Sequence, residues 1–385
     1  MKILNLHISE YKNKMTVEYN SFEKKNMSEN KNRGDISDCQ QNLLDSNQFL
    51  FEDSFLRTVL VSFFEAYNPL HIYFLVFFTV LDFFCNISFI VVLSQKELRT
   101  SGINLTMIMI ALCNFSSVTL NLFDKMLKLL SEETYLRALY NYLENFLNLY
   151  VPVMADYLVV QMTFCRVMAL YSNSDKWKGR KVAVTISAVL WIFIGMLSSA
   201  VLEITEIEKT LTGKYAVTIP DEYIENGCIV FRMSLLFYGI LFDIVPLLLL
   251  FIFFLLILCK LNSFKAHRKK TMGKSSSSGI ENSSRLLQVV LIMFFLVKIP
   301  SAAVTIFSAV YMIDYYMFVK KWTFQFIEIL LTFNASTSFI IYCIMSSQFR
   351  EIFVRLFVPE SVKQRMQSKI MKNSLVVTTR KMAWQ

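Results

Sequence analysis

The last long apolar run of the chain closes on "NASTSFIIYCIMSSQFR", residues 334–350. Phe339, Ile340, Ile341, Ile344 and Met345 give way at once to Ser346, Ser347 and Arg350, so sequence compatible with hydrocarbon stops within two residues. A helix crossing the roughly 30 Å hydrocarbon layer needs about 20 mostly apolar residues. Residues 322–345 supply them. Beyond that point Phe349, Phe353, Leu356 and Phe357 recur at helical spacing, with Arg350 and Arg355 among them, until Pro359 ends the pattern. This predicts a membrane span followed by an interfacial helix along the inner leaflet, residues 347–358.

Six further runs meet the same length criterion: 72–94, 103–123, 146–171, 182–202, 229–261 and 286–313. The composition agrees, with 55% hydrophobic and 18% charged residues and a mean hydropathy of +0.45. A soluble domain is about a quarter charged, so a soluble class is excluded. The expected fold is an all-α membrane protein, a seven-transmembrane helix bundle. No phosphate loop or nucleophile motif stands out, and three histidines with no CxxC pair give a metal little to bind. No catalytic residue, metal site or cofactor is therefore expected, and no nucleic-acid partner; the lipid bilayer is the first partner.

Lysine and arginine in the short loops set the orientation. With the amino terminus outside, the three inner loops hold thirteen such residues and the three outer loops seven, which favours N-out, C-in. Residues 1–48 then form an extracellular tail, polar enough to be read as disordered. Its sequon at Asn26 is placed where glycosylation is possible. Residues 49–68 are an amphipathic pre-membrane segment, with Phe51, Phe55, Val59 and Phe63 at spacing four; it is read as an interfacial helix, with a lid over a ligand as the alternative. Residues 69–346 form the membrane domain and 359–385 a cytoplasmic tail. The inner loop "HRKKTMGKSSSSGIENSSR", 267–285, reads either as a solvated linker near anionic lipid or as a docking and phosphorylation segment. Between the fourth and fifth spans lies a long acidic outer loop, with six acidic residues from Glu203 to Glu225 against two lysines.

Specific residues now support a resemblance. "NISFIVVLSQKELRTSGINLTMIMIALCN", "TFCRVMAL" and "STSFIIYCIMSSQFR" resemble a rhodopsin-like G-protein-coupled receptor. The likeness is nearest to the nematode serpentine chemoreceptors of class W, which are similar to FMRFamide-type neuropeptide receptors. Asn86 matches the family's first-span asparagine, Trp191 its fourth-span tryptophan, and Pro246 and Pro300 the prolines of the fifth and sixth spans. Phe294 matches the aromatic before the latter. Arg166 falls at the arginine that, in the family, closes the inner face and then meets the G protein; Tyr342 and Phe349 match the seventh-span tyrosine and the aromatic that opens the last helix.

The chain also departs from the family. Cys165 replaces the acidic residue before the arginine, which implies a looser clamp on Arg166 and higher basal activity. Asn114 stands at the second-span aspartate, Ala155 at a third-span serine, Ser338 at the seventh-span asparagine and Phe339 at its proline, so a sodium pocket is not expected. Asn141 occupies the place of the third-span cysteine. Cys228 thus lacks its usual partner, and Cys39 is the other exofacial candidate for a disulfide. Without the seventh-span proline, the Ser336, Thr337 and Ser338 hydroxyls remain able to bend the helix by bonding carbonyls a turn back.

Ionisable residues within spans are costly and mark functional candidates. Asp82, Asp156, Asp243, Lys298 and Glu328 are of this kind. Lys298 is expected to pair with Asp156 or with Asp243, either as part of a switch or as a purely structural link. Glu328, near the outer end of the seventh span, is read as receiving a ligand cation, such as the arginine of an RFamide-like peptide, or as pairing with Lys320 or Lys321. The resemblance implies a receptor that binds an extracellular ligand and signals to a heterotrimeric G protein. A short neuropeptide is favoured, with a small external odorant as the alternative. A transporter or channel is the competing class, but nine glycines, six prolines and no visible repeat give it little support.

Overall fold

The computed structural model describes residues 55–130, 134–172, 175–209, 215–218, 220, 223, 228–271, 278–311, 315 and 319–360. Asn26, Cys39, the expected boundary of the extracellular tail at 48, Phe51, and Asp221, Glu222 and Glu225 of the acidic outer loop lie outside them. Among the described residues, seven helices are long and apolar enough to cross a membrane: Ser62–Leu93, Gly102–Asp124, Tyr135–Tyr171, Arg180–Ala200, Ile229–Ser263, Gln288–Val310 and Gln325–Ile344. They coincide with the seven runs read from the sequence. The third span is 72% buried over its apolar window, against 22–33% for the other six, so the bundle is built around it. The other spans turn phenylalanine, leucine and isoleucine outward, as Phe77, Phe84, Ile192 and Leu296 do, because lipid rather than water is their solvent.

The first helix differs from expectation. It runs unbroken from Phe55 to Leu93, 39 residues or about 58 Å, through Pro69. The amphipathic spacing thus does form helix, but as an outward extension of the span instead of a separate surface helix. Pro69 removes the bond that would end on the Glu65 carbonyl, near the outer end, where solvent can satisfy that oxygen. The outer loop between spans four and five also carries structure that composition does not reveal. Glu206–Lys209 and Tyr215–Thr218 form an antiparallel hairpin, and Tyr215 sets its ring edge-on to Tyr135 at the top of the third span.

At the inner end Ser346 closes the seventh helix and opens the next. Its backbone N–H donates to the Tyr342 carbonyl, and its hydroxyl caps the following helix, Ser347–Phe357, by accepting from the Phe349 N–H at 3.3 Å. A serine with extended backbone can do both because each helix ends on unsatisfied groups. Phe349 is 1% exposed and lies edge-on to Phe89, Phe339 and Tyr342, tying the last helix to the first and seventh spans. Phe339, expected at the position of the family's proline, is a packing residue against Phe89, Phe349 and Phe353. Thr337 and Ser336 donate to the Phe333 carbonyl at 2.7 and 3.0 Å, the back-bonding anticipated from their hydroxyls.

Candidate functional site

The fifth span is not one regular helix. Ile229–Tyr238 is α-helical, Gly239–Ile244 forms a π turn, and α-helix resumes at Val245. Pro246 accounts for the free acceptor at this point. The Val245 N–H reaches back five residues to the Ile240 carbonyl, and Pro246 has no N–H with which to continue that register to Leu241. The Leu241 carbonyl is taken instead by the Tyr157 hydroxyl of the third span, at 2.7 Å. Gly239, in the same turn, comes so near the sixth span that a Cβ there would lie 2.6 Å from Thr305 Cγ2.

Thr305 in turn donates to the Asp243 carboxylate at 2.9 Å, joining the sixth span to the fifth. Two helical turns further in on the sixth span, Lys298 donates to Asp156 of the third. Of the two partners considered for Lys298, the structure selects Asp156, while Asp243 lies within electrostatic reach of that carboxylate. Both members of the pair are 8% exposed, and the ammonium sits 5.8 Å from the centre of the Phe294 ring. The three spans are therefore joined by a triangle of polar contacts: third to sixth through Asp156 and Lys298, sixth to fifth through Thr305 and Asp243, fifth to third through Leu241 and Tyr157. Beside it is a cavity of ≈ 40 Å³ lined by Asn114, Asp156, Phe294 and Asn334, roomy enough for water by the usual requirement of about 10–15 Å³.

Below the triangle, Arg166 and Tyr342 lie within electrostatic reach of one another, so the guanidinium faces the seventh span. Cys165 is a buried free thiol and offers no charge to that arginine. Asn86 donates to the backbone carbonyl of Asp82 at 2.9 Å and also to its carboxylate, an arrangement internal to the first span. Trp191, 37% exposed, has its ring edge-on to Tyr150 and accepts from the Tyr150 hydroxyl through its carbonyl at 3.1 Å. Pro300 lies inside the sixth helix, two residues after Lys298.

At the outer mouth Glu328 is 3.8 Å from the His71 imidazole of the first span, and its side chain is 24% exposed. Arg137 and Asp124 pair at 3.4 Å where the third and second spans emerge. Cys228, fully buried at the start of the fifth span with φ 60°, is disulfide-bonded, whereas Cys85, Cys113, Cys165, Cys259 and Cys343 are free. Arg232, one turn later, is 1% exposed, and its Nε and Nη2 meet no acceptor among the described residues.

Sequence reading did not single out Tyr157, Gly239, Thr305, His71 or Arg232. Arg232 and His71 carried a usable signal, being ionisable residues within or at the end of apolar runs. Tyr157 carried a weaker one, since Pro246 announces an orphaned carbonyl without saying who takes it.

Residues 72–359 match the family described as "Serpentine type 7TM GPCR chemoreceptor Srw". The chain is also similar to the G-protein coupled receptor dmsr-1 of Caenorhabditis elegans, at 24% identity over 375 residues that cover 81% of this chain and 72% of that receptor.

Proposed function

The chain belongs to the Srw family of serpentine seven-transmembrane G-protein-coupled receptors, and on that premise we propose that its extracellular ligand is a short cationic peptide of RFamide type. It is a multi-pass protein of the plasma membrane, with the amino terminus outside and the last helix on the cytoplasmic side. Receptor function consists of binding and population shift, and needs no bond to be made or broken.

Glu328 carries the choice of ligand class. It is a partly accessible carboxylate inside the outer mouth, beside His71 and below an acidic outer loop. A ligand guanidinium meeting it as a two-point pair would gain both charge and direction, and the acidic rim would draw a cation inward in a salt-dependent way. The signal then passes through the Asp156–Lys298 pair to the inner face, where Arg166, Tyr342 and Phe349 are the residues proposed to couple to the G protein.

The experiment is to express the receptor with a promiscuous G protein and apply RFamide-type peptides in parallel with small volatile and water-soluble cues. A peptide ending in Arg-Phe-amide should activate. Replacing its arginine by citrulline, or Glu328 by Gln, should each weaken it roughly 30-fold or more, and the two changes together little further. The family's description as chemoreceptors supports a second reading, a small external odorant; activation by such a cue with no response to any peptide would establish that reading instead.

A further inference from the structure

The fifth-span helix Ile229–Tyr238 has two unlike faces. Ile229, Val230, Met233 and Phe237 are 49–55% exposed and face lipid. Phe231, Arg232 and Gly239 are buried, and Gly239 is the point of near contact with Thr305 of the sixth span. Arg232 and Gly239 are seven residues apart, two turns or about 10.5 Å, so Arg232 looks into the bundle above that contact. It lies four residues after the disulfide-bonded Cys228, which fixes this end of the helix.

Its Nε and Nη2 meet no hydrogen-bond acceptor among the described residues, and the side chain is buried. Arginine cannot shed its charge, and a buried cation without a counter-charge is costly. Asp156, Lys298, Thr305 and Asp243 all meet protein partners; Arg232 differs from them. The two atoms without an acceptor are also a specific pair. Nε–H and the Nη2 hydrogen beside it point the same way, forming the side-on fork that receives the two oxygens of one carboxylate.

We infer that Arg232 is a ligand subsite, receiving a carboxylate through its Nε–Nη2 edge at the outer end of the fifth span. The inference rests on the chain being a receptor and not on which ligand class it takes. An acidic side chain on a peptide and a free organic acid present the same group. With Glu328 on the seventh span receiving a cation, a peptide bearing both charges would be held across the mouth of the bundle. Pairing relieves the cost of the buried cation only when the ligand is in place, which gives the ligand different affinities for states that expose or bury this edge.

The test is thermal unfolding of the purified full-length receptor with two matched probe pairs. One is an RFamide-type peptide with Asp at an internal position and its Asn counterpart; the other is octanoate and its methyl ester. The wild-type receptor should be stabilised more by the carboxylate member of one pair, and which pair responds tells the peptide source from the small acid. R232Q should abolish that difference, weakening carboxylate binding roughly 30-fold or more, and R232M without probe should unfold no earlier than wild type. A structural role for Arg232 predicts the reverse for R232M, and that result overturns the inference. So does equal stabilisation by both members of each pair, absence of any shift from all four probes, or a carboxylate preference that survives R232Q. E328Q should leave the preference intact while removing the preference for a cationic peptide. If Glu328 proves irrelevant but the Arg232 difference stands, only the peptide reading fails.

Discussion

Replacing Lys298 by Met removes the cation paired with Asp156 and leaves that carboxylate buried with Asp243 within electrostatic reach. Replacing Asp156 by Asn leaves a buried ammonium facing an amide. Breaking a buried pair on one side costs about 3–5 kcal/mol. The whole of that would appear as lost stability if every receptor conformation kept the pair. The third and sixth spans, however, make few other close backbone approaches among the described residues, so a shift of the sixth span would part Lys298 from Asp156. The cost then falls mainly on the conformation in which the pair is made. If only about 1.4 kcal/mol of it is differential, the ratio of active to resting receptor rises tenfold. A receptor about 1% active at rest would become roughly 9% active. The assay is second-messenger output without agonist, normalised to surface receptor counted by antibody labelling. K298M should exceed D156N, because it leaves two like charges near each other. The double variant D156N/K298M should recover surface expression relative to either single change, since neither buried charge is left opposite a missing partner. Unchanged expression and unchanged normalised basal output in K298M would refute the reasoning, as would a double variant that behaves as the sum of its parts.

Gly239 gives an independent check on the contact between the fifth and sixth spans. G239A should destabilise by about 1–3 kcal/mol through its clash with Thr305 Cγ2. G239A/T305S should recover most of it, because serine lacks that methyl group yet keeps the hydroxyl that bonds Asp243; thermal unfolding of the four receptors decides. C228S should sharply reduce surface receptor, in line with the roughly 2–5 kcal/mol typical of a native disulfide. If Cys39 is the other half, C39S matches that loss, and alkylation followed by peptide mass mapping finds Cys228 as a thiol. F349A empties a site of 1% exposure among Phe89, Phe339 and Tyr342, and should cost about 3–5 kcal/mol, read as lost thermal stability and weaker G-protein coupling. E97Q should reduce the 2.9 Å ion pair with Arg355 to a neutral hydrogen bond but change thermal stability little at neutral pH, since both side chains are about half exposed. Backbone and Arg355 hydrogen bonds hold the Glu97 carboxyl below its usual range, so what it contributes is present above that range and disappears as pH falls through its folded value.

The seven spans were legible because each is a long single-character run, and a 20-residue pattern survives errors of a few residues at its ends. The Asp156–Lys298 pair was half legible. Two carboxylates and one ammonium at similar depth within apolar runs announce a pair, but choosing between them requires the rotation of the fifth span, which the π turn at Gly239–Ile244 resets. The same reset hides the meeting of Gly239 with Thr305 and of Tyr157 with Leu241. Helix periodicity run through Pro246 with 3.6 residues per turn puts the wrong faces together. The hairpin Glu206–Thr218 escaped for a different reason: its strands are four residues each, too short for an alternating pattern to rise above composition. The continuous first helix escaped because Pro69 reads as a boundary from sequence alone, whereas near the watery end of a span the loss of one backbone bond is tolerable.

The arrangement of the three central contacts bears on how the receptor can switch. Asp156 and Tyr157 are neighbours on the third span, Lys298 and Thr305 lie two turns apart on the sixth, and Leu241 and Asp243 are both in the π turn of the fifth. Each span is thus held twice, once by each of the other two. A movement of the sixth span alone disturbs the links to Asp156 and Asp243 together, and a movement of the fifth alone disturbs those to Tyr157 and Thr305. No span can leave by breaking a single contact, which disfavours partial movements and leaves two arrangements, all three links made or at least two broken. Arg232 sits on the outer arm of the fifth span, beyond Gly239, and Glu328 on the seventh. A ligand that pulled on the Arg232 arm would act on the span whose π turn carries two of the three links, where a small rotation changes which groups face the third and sixth spans.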